Sequence, residues 1–115
     1  MSFSTGLNKE VVKFNANTEG YPYKNLKDFA VGTVFTLNCI YINKKSKFGD
    51  APVVGVTEGF FINLPAHQLE DAQMILNDPE KCKDINEGRA GIKILTYETN
   101  GQTYYKAAWV DVLPN

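Results

Sequence analysis

The sequence predicts a mainly β domain: a five-stranded barrel with one or two short helices between its third and fourth strands. Three observations predict it. Five short segments rich in β-branched and aromatic residues lie between turn signals. One stretch, residues 65–88, breaks that pattern with apolar residues at helical spacing. The longest strand segment, residues 33–43, does not keep one alternation of faces, as expected of a strand bending around a barrel.

Residues 1–8 are polar and read as a frayed terminus. Residues 10–14, EVVKF, suit a short extra strand. Residues 15–25 carry Asn, Gly, Pro and Tyr and read as loop. Tyr21 and Tyr23 flank Pro22 there and are expected to anchor the loop to the body. Residues 25–29 suit one helical turn, ended before Gly32. The first main strand is TVFTLNCIYIN, residues 33–43, whose apolar side switches near Asn38. A basic turn, residues 44–50, leads to APVVGV, residues 51–56, a second strand interrupted by Gly55. Thr57-Glu58-Gly59 is a tight turn into the third strand, FFINL, residues 60–64.

Pro65 ends that strand: it offers no N–H to a ladder, yet it fits the first turn of a helix. Leu69, Ala72, Ile75 and Leu76 then form an apolar stripe, expected to fill the open end of the barrel. Glu70 and Asp71 fall where the helix macrodipole favours negative charge. Asp78 as N-cap and Pro79 at the first helical position open a second short helix, and Gly88 suits its C′ position. GIKILTYE, residues 91–98, is the fourth strand. Asn100-Gly101 is a hairpin signal, and TYYKAAWVDV, residues 103–112, is the fifth strand.

Three strands, a helical segment and a hairpin follow the order of the OB-fold, a partly open Greek-key barrel that often binds oligonucleotides or oligosaccharides. An open α+β sheet with the helix on one face fits the same order; the face switch near Asn38 favours the barrel. Residues 1–115 read as one domain, since 115 residues suit a single core and 43% hydrophobic content is that of a globular chain.

Composition narrows the function. No apolar run is long enough to span a membrane, and the N-terminus lacks the apolar middle of a signal peptide, so a cytosolic location is expected. Twelve Lys and Arg against thirteen Asp and Glu do not make a strongly basic chain, although charge can be segregated by face. Cys39 and Cys82 are expected to be buried free thiols. They lack metal-type spacing and His67 is the only histidine, which argues against zinc; no cofactor is expected. His67 itself reads as a solvated helix residue. Glycine-rich phosphate loops and nucleophile elbows are missing, and Asp50 and Glu58 read as turn residues, so no catalysis is expected.

The informative constellation is aromatic and basic. Tyr41, Phe48, Phe61, Tyr97, Tyr105 and Trp109 fall on strands or at a strand turn, with Lys44, Lys45, Lys47, Lys93 and Lys106 close in sequence. Single-stranded nucleic acid needs both kinds of group: exposed rings stack on bases, and amines follow phosphates. Alternation puts Lys93 and Tyr97 on one face of the fourth strand, with Leu95 between them, and Tyr105 and Trp109 on one face of the fifth. Tyr97 and Tyr105 stand evenly between core and ligand; Trp109 leans to the core. A lysine cluster such as 44–47 is more often a plain solvated turn.

The blocks KSKFGDAPVV, INLPAHQLED and WVDV, within residues 32–112, resemble small single-stranded-DNA-binding proteins of bacteriophages and mobile elements of Gram-positive bacteria. The resemblance implies an OB-fold and a homo-oligomer, dimer or tetramer. It also implies a role in replication or recombination, alongside partner proteins of those processes in the bacterial host cytoplasm. The aromatic and lysine residues named above would form the DNA-binding set. The near-neutral charge departs from a simple DNA binder. A different class, a protein-interaction module using an exposed strand edge or an aromatic patch, fits the same residues.

Overall fold

The computed structural model describes residues 14, 16–44 and 50–112. Its strands are β1 (Tyr23–Asn25), β2 (Val34–Asn43), β3 (Ala51–Val56), β4 (Phe60–Asn63), β5 (Ala90–Thr99) and β6 (Gln102–Asp111). Two helices, α1 (Leu69–Leu76) and α2 (Pro79–Asn86), lie between β4 and β5. The strands run in the order β1-β4-β3-β2-β5-β6 and curl into a half-barrel. Every pairing is antiparallel except β1 with β4.

Six strands stand where the sequence predicts five, because part of the predicted loop, Tyr23–Asn25, forms β1. Asn and Pro around it hid a three-residue strand that pairs Tyr23 with Phe61 and Asn25 with Asn63. The loop aromatics do anchor the segment, with Tyr21 and Tyr23 ring centroids 5.2 and 5.0 Å from Phe61. The helical turn after it is present as a 3-10 turn, Leu26–Asp28. Of the extra strand suggested at residues 10–14, only Phe14 is among the described residues, and it is not in a strand.

The bend of β2 has a local cause. Leu37 pairs with Val56 and Cys39 with Gly55, so Asn38 is one extra residue, a bulge where the apolar face switches. Val34–Thr36 pairs with β5; from Leu37 onward, across the bulge, the strand pairs with β3. Gly55 lies opposite and does not interrupt β3. It is required for space, since a Cβ there would lie 2.5 Å from Cys39 Sγ and 2.8 Å from Asn38 Oδ1.

The main core lies inside the curl: Phe35, Leu37, Ile40, Val54, Val56, Ile62, Ile92 and Ile94 from the strands, with Leu26, Ala72 and Ile85. A smaller cluster on the other face joins Cys39, Val53 and Phe61 under Phe14, Tyr21 and Tyr41. Both cysteines are buried and free. Helix α2 starts as its residues dictate: the Asp78 side chain accepts from Glu80 N–H at 3.0 Å and Pro79 is at the first position. Gly88, with φ of 74°, follows its end.

Helix α1 departs from the expected stripe. Ala72 is fully buried, Ile75 and Leu76 are half-buried against the core, and Leu69 is half-buried and outside it. The inward positions are Gln68 and Ala72, both buried, and the half-buried Ile75, at i, i+4 and i+7. The reason is Gln68, in the 3-10 turn Ala66–Gln68 that precedes the helix. Val112 N–H donates to Arg89 O, which sets the parity of the β5–β6 ladder: even-numbered β6 residues bond to β5 and odd-numbered ones point to the free edge. At Ala107 that edge is taken by the Gln68 side chain, which donates to Ala107 O at 2.8 Å and accepts from Ala107 N–H at 2.9 Å. One side-chain amide thus stands in for a strand residue where the half-barrel is unclosed. It pulls Gln68 to 4% exposure and turns Leu69 off the core face.

Candidate functional site

The ribbon of β5 and β6 carries the candidate site. Asn100 and Gly101 have φ of 53° and 77°, the left-handed pair that a two-residue hairpin of right-twisting strands requires. That turn pins Tyr97 opposite Tyr104, Leu95 opposite Lys106 and Lys93 opposite Ala108. Cross-strand partners share a face. Lys93, Leu95, Tyr97, Tyr104 and Lys106 therefore lie together on the face turned away from the core. The opposite face holds Ile92, Ile94, Ala107, Tyr105 and Trp109, all within or against the core.

Tyr97 is the centre of the outer face. The Tyr104 ring is stacked beside it at 5.6 Å with 26° between planes. Lys106 Nζ sits 5.7 Å over its centroid, and the His67 ring stands 5.8 Å away at 87°. Tyr104 is 41% exposed, so its ring has an open face. Its hydroxyl donates to Gln102 Oε1 at 2.6 Å, which steadies the ring at the hairpin end. Lys93 is exposed farther along the same face. Arrangements of this kind offer aromatic faces for planar ligands and ammonium groups for anions.

Charge is segregated along the chain. Residues 66–89, which hold both helices, carry six acidic and three basic residues; the remainder carries seven acidic and nine basic. The only arginine, Arg89, is held by Asp84 at 2.9 Å and Glu87 at 3.0 Å. The near-neutral total thus conceals an acidic helical segment.

The structure brings Lys93, Tyr97 and Lys106 together, and places Tyr41, Phe61, Tyr105 and Trp109 in or against the core clusters instead. Tyr105 and Trp109 share a face as expected, but it is the core face. Trp109 Nε1 donates to Asp71 Oδ2 at 3.0 Å, tying β6 to α1. Phe61 is 9% exposed, with Tyr21, Tyr23 and Tyr41 around it, so it has no open face for a base; it is a core residue. Tyr41 is half-buried at 5.5 Å from Phe61, its hydroxyl hydrogen-bonded to that of Tyr23. Burial first, then that hydroxyl, push the Tyr41 phenol well above its ordinary value. Lys44 is exposed at the end of β2. Lys45, Lys47 and Phe48 lie outside the described residues.

Two residues of the site were missed by sequence reasoning. Tyr104 was legible: counting outward from the Asn-Gly turn puts it opposite Tyr97. His67 was not, because nothing local ties a residue after Pro65 to β5. Among the described residues no group of three or more His, Cys, Asp or Glu side chains is placed to hold a metal ion, and no helix is long and apolar enough to cross a membrane. No protein-family model, curated protein or solved structure matches the chain.

Proposed function

We propose that the chain is a non-catalytic single-stranded-DNA-binding protein of a bacteriophage or mobile element, built on an OB-fold and acting in replication or recombination in the bacterial cytoplasm. The observation that carries this reading is the outer face of the β5–β6 ribbon, where Tyr97 and the open ring of Tyr104 lie at the hairpin end, with Lys106 and then Lys93 following along the same face. Stacking on these rings suits any base, because every base has a π-face, and the ammonium groups suit the phosphates between bases. Duplex DNA hides its bases, so it offers the tyrosines little. The order of three antiparallel strands, helical insert and hairpin supports the OB-fold, as does the bulged β2 shared between two partners. In OB-folds the second and third strands often form the ligand face together with the loops after the first and fourth strands. Here the aromatic cluster around Phe61 covers much of the equivalent face, which moves the weight of binding to the ribbon and its hairpin.

A homo-oligomer, dimer or tetramer, belongs to this reading, since several small sites on one strand gain avidity through effective concentration. The test is fluorescence anisotropy with labelled oligo-thymidine and a matched duplex across a salt series. Tight, salt-dependent binding to the single strand alone is expected. Equal affinity for both, or none for either at low salt, overturns the reading.

One observation favours the rival, a protein-interaction module. Trp109 and Asp111 turn their backbone groups to the free edge of β6, beside a cleft of about 290 Å³ lined by Met74, Ile75 and Trp109. An added strand of a partner protein would fit such an edge. It gains ground if DNA binding fails.

A further inference from the structure

We infer that His67 reads the edge of one base on the tyrosine platform and that Gln68 is the residue that positions it. The inference rests on the single-stranded-DNA reading and deepens it: stacking alone is indifferent to sequence, and His67 would add a preference.

His67 looks like a solvated residue in the sequence, but its backbone is held. Gln68 N–H donates to Pro65 O at 2.9 Å, closing the 3-10 turn that contains His67. The Gln68 side chain then takes both backbone groups of Ala107, at 2.8 and 2.9 Å, and is itself buried. The residue next to His67 is therefore fastened to the strand that carries Tyr104 and Lys106. This fastening brings the imidazole to 5.8 Å from Tyr97, at 87° to its ring.

The right angle gives the chemistry. A base stacked parallel to the tyrosines lies perpendicular to the imidazole. An imidazole nitrogen can then lie in the plane of the base and meet its edge. Neutral imidazole offers one donor and one acceptor, and the edges of thymine, cytosine and adenine present different patterns of the two. His67 can therefore distinguish bases where Tyr97 and Tyr104 cannot. Lys106, over Tyr97, stays available for a phosphate.

Gln68 acts through this placement. Its amide is the only side chain that takes the two Ala107 groups among the described residues. Without it the turn has no strand-like bond to β6, and His67 loses its fixed distance from Tyr97. Gln68→Met keeps the length and most of the volume but none of the hydrogen bonding.

The experiment measures anisotropy of labelled oligo-thymidine, oligo-cytidine and oligo-adenosine with the wild-type chain, His67→Ala, Gln68→Met and the double variant. Self-stacking of the free oligo-adenosine affects all four proteins alike, so the readout is the change in affinity ratios between proteins. The expected result is a spread of about fivefold or more among the three oligomers for wild type, the size of one lost base contact of about 1 kcal/mol. His67→Ala should bring the ratios close together. Gln68→Met should do the same, and the double variant should add nothing further. Urea titration of each variant separates loss of folding from loss of contact. Ratios unchanged in His67→Ala overturn the base-reading role. A lowered urea midpoint with unchanged ratios in Gln68→Met shows Gln68 to be structural only and overturns its positioning role. Wild-type protein that binds none of the oligomers overturns the DNA reading itself, and this inference with it.

Discussion

Tyr104 and Tyr105 are neighbours in sequence on opposite faces of one ribbon, and truncating each in turn tests the placement of the site. Tyr105 is half-buried against the main core. A fully buried aromatic truncated to alanine costs about 3–5 kcal/mol, so roughly half that, about 1.5–2.5 kcal/mol, is expected for Tyr105→Ala. Tyr104 is 41% exposed and touches chiefly the Tyr97 ring at 5.6 Å. Losing one exposed cross-strand aromatic pair costs about 0.2–1 kcal/mol of stability. The order reverses for binding. Removing a stacking ring costs about 1–3 kcal/mol per base, which is about 5- to 150-fold in affinity, and Tyr104 supplies the open ring. Tyr105→Ala should bind nearly as wild type under conditions where it is folded. The assays are urea unfolding and anisotropy with oligo-thymidine. If Tyr105→Ala loses affinity and Tyr104→Ala does not, the outer ribbon face is not the binding face.

Other outcomes follow from the same geometry. Lys93→Ala and Lys106→Ala should each reduce the salt slope of binding by about 0.7, the value for one phosphate contact on a single strand, and changing Lys44, Lys45 and Lys47 together should reduce it further if the turn joins the path; a slope unchanged in all three excludes phosphate contacts by these lysines. Gly55→Ala should destabilise by about 1–3 kcal/mol, because the new Cβ would meet Cys39 Sγ at 2.5 Å in a packed cluster, and an unshifted urea midpoint would refute that packing. Burial raises both thiols above their ordinary value of 9.0, Cys39 against a Gly55 backbone hydrogen bond that lowers it and Cys82 with help from Asp78. A raised folded value means the native state holds its thiol protons longer than the unfolded chain, so this contribution is complete below about pH 9 and is lost as pH rises beyond it. Stability of the Cys39→Ser and Cys82→Ser variants should depend less on pH in that window than wild type does. Light scattering should return a dimer or tetramer mass, and a monomer across a wide concentration range would remove avidity from the proposal.

Local chemistry made much of this protein readable. Pro65, Asp78, Pro79, Gly88 and the Asn100-Gly101 pair are residues whose backbone preferences act within a few positions, so the turns and helix ends lie where the sequence puts them. The broken alternation around Asn38 announced the bulge in the same way, because a face switch within one strand needs an extra residue. The Asn-Gly turn even determined the β5–β6 register, and with it the faces of Tyr97, Tyr104 and Tyr105.

Which face of each ribbon is the inner one was decided only in three dimensions. Alternation separates Tyr104 from Tyr105 but does not say which is covered, since both are amphipathic rings with apolar neighbours. The same holds for Phe61, whose cover comes from Tyr21 and Tyr23, far away in sequence. Strand β1 exists because β4 offers it an edge, against a local sequence that reads as loop. Gln68 is the clearest case. A glutamine before a helix signals exposure, yet here 39 residues separate it from the backbone groups it satisfies. Burying it stabilises the fold only because Ala107 would otherwise leave both groups unpaired at an open edge. No pattern within a few residues encodes that need; it arises when a half-barrel closes on a side chain in place of a strand.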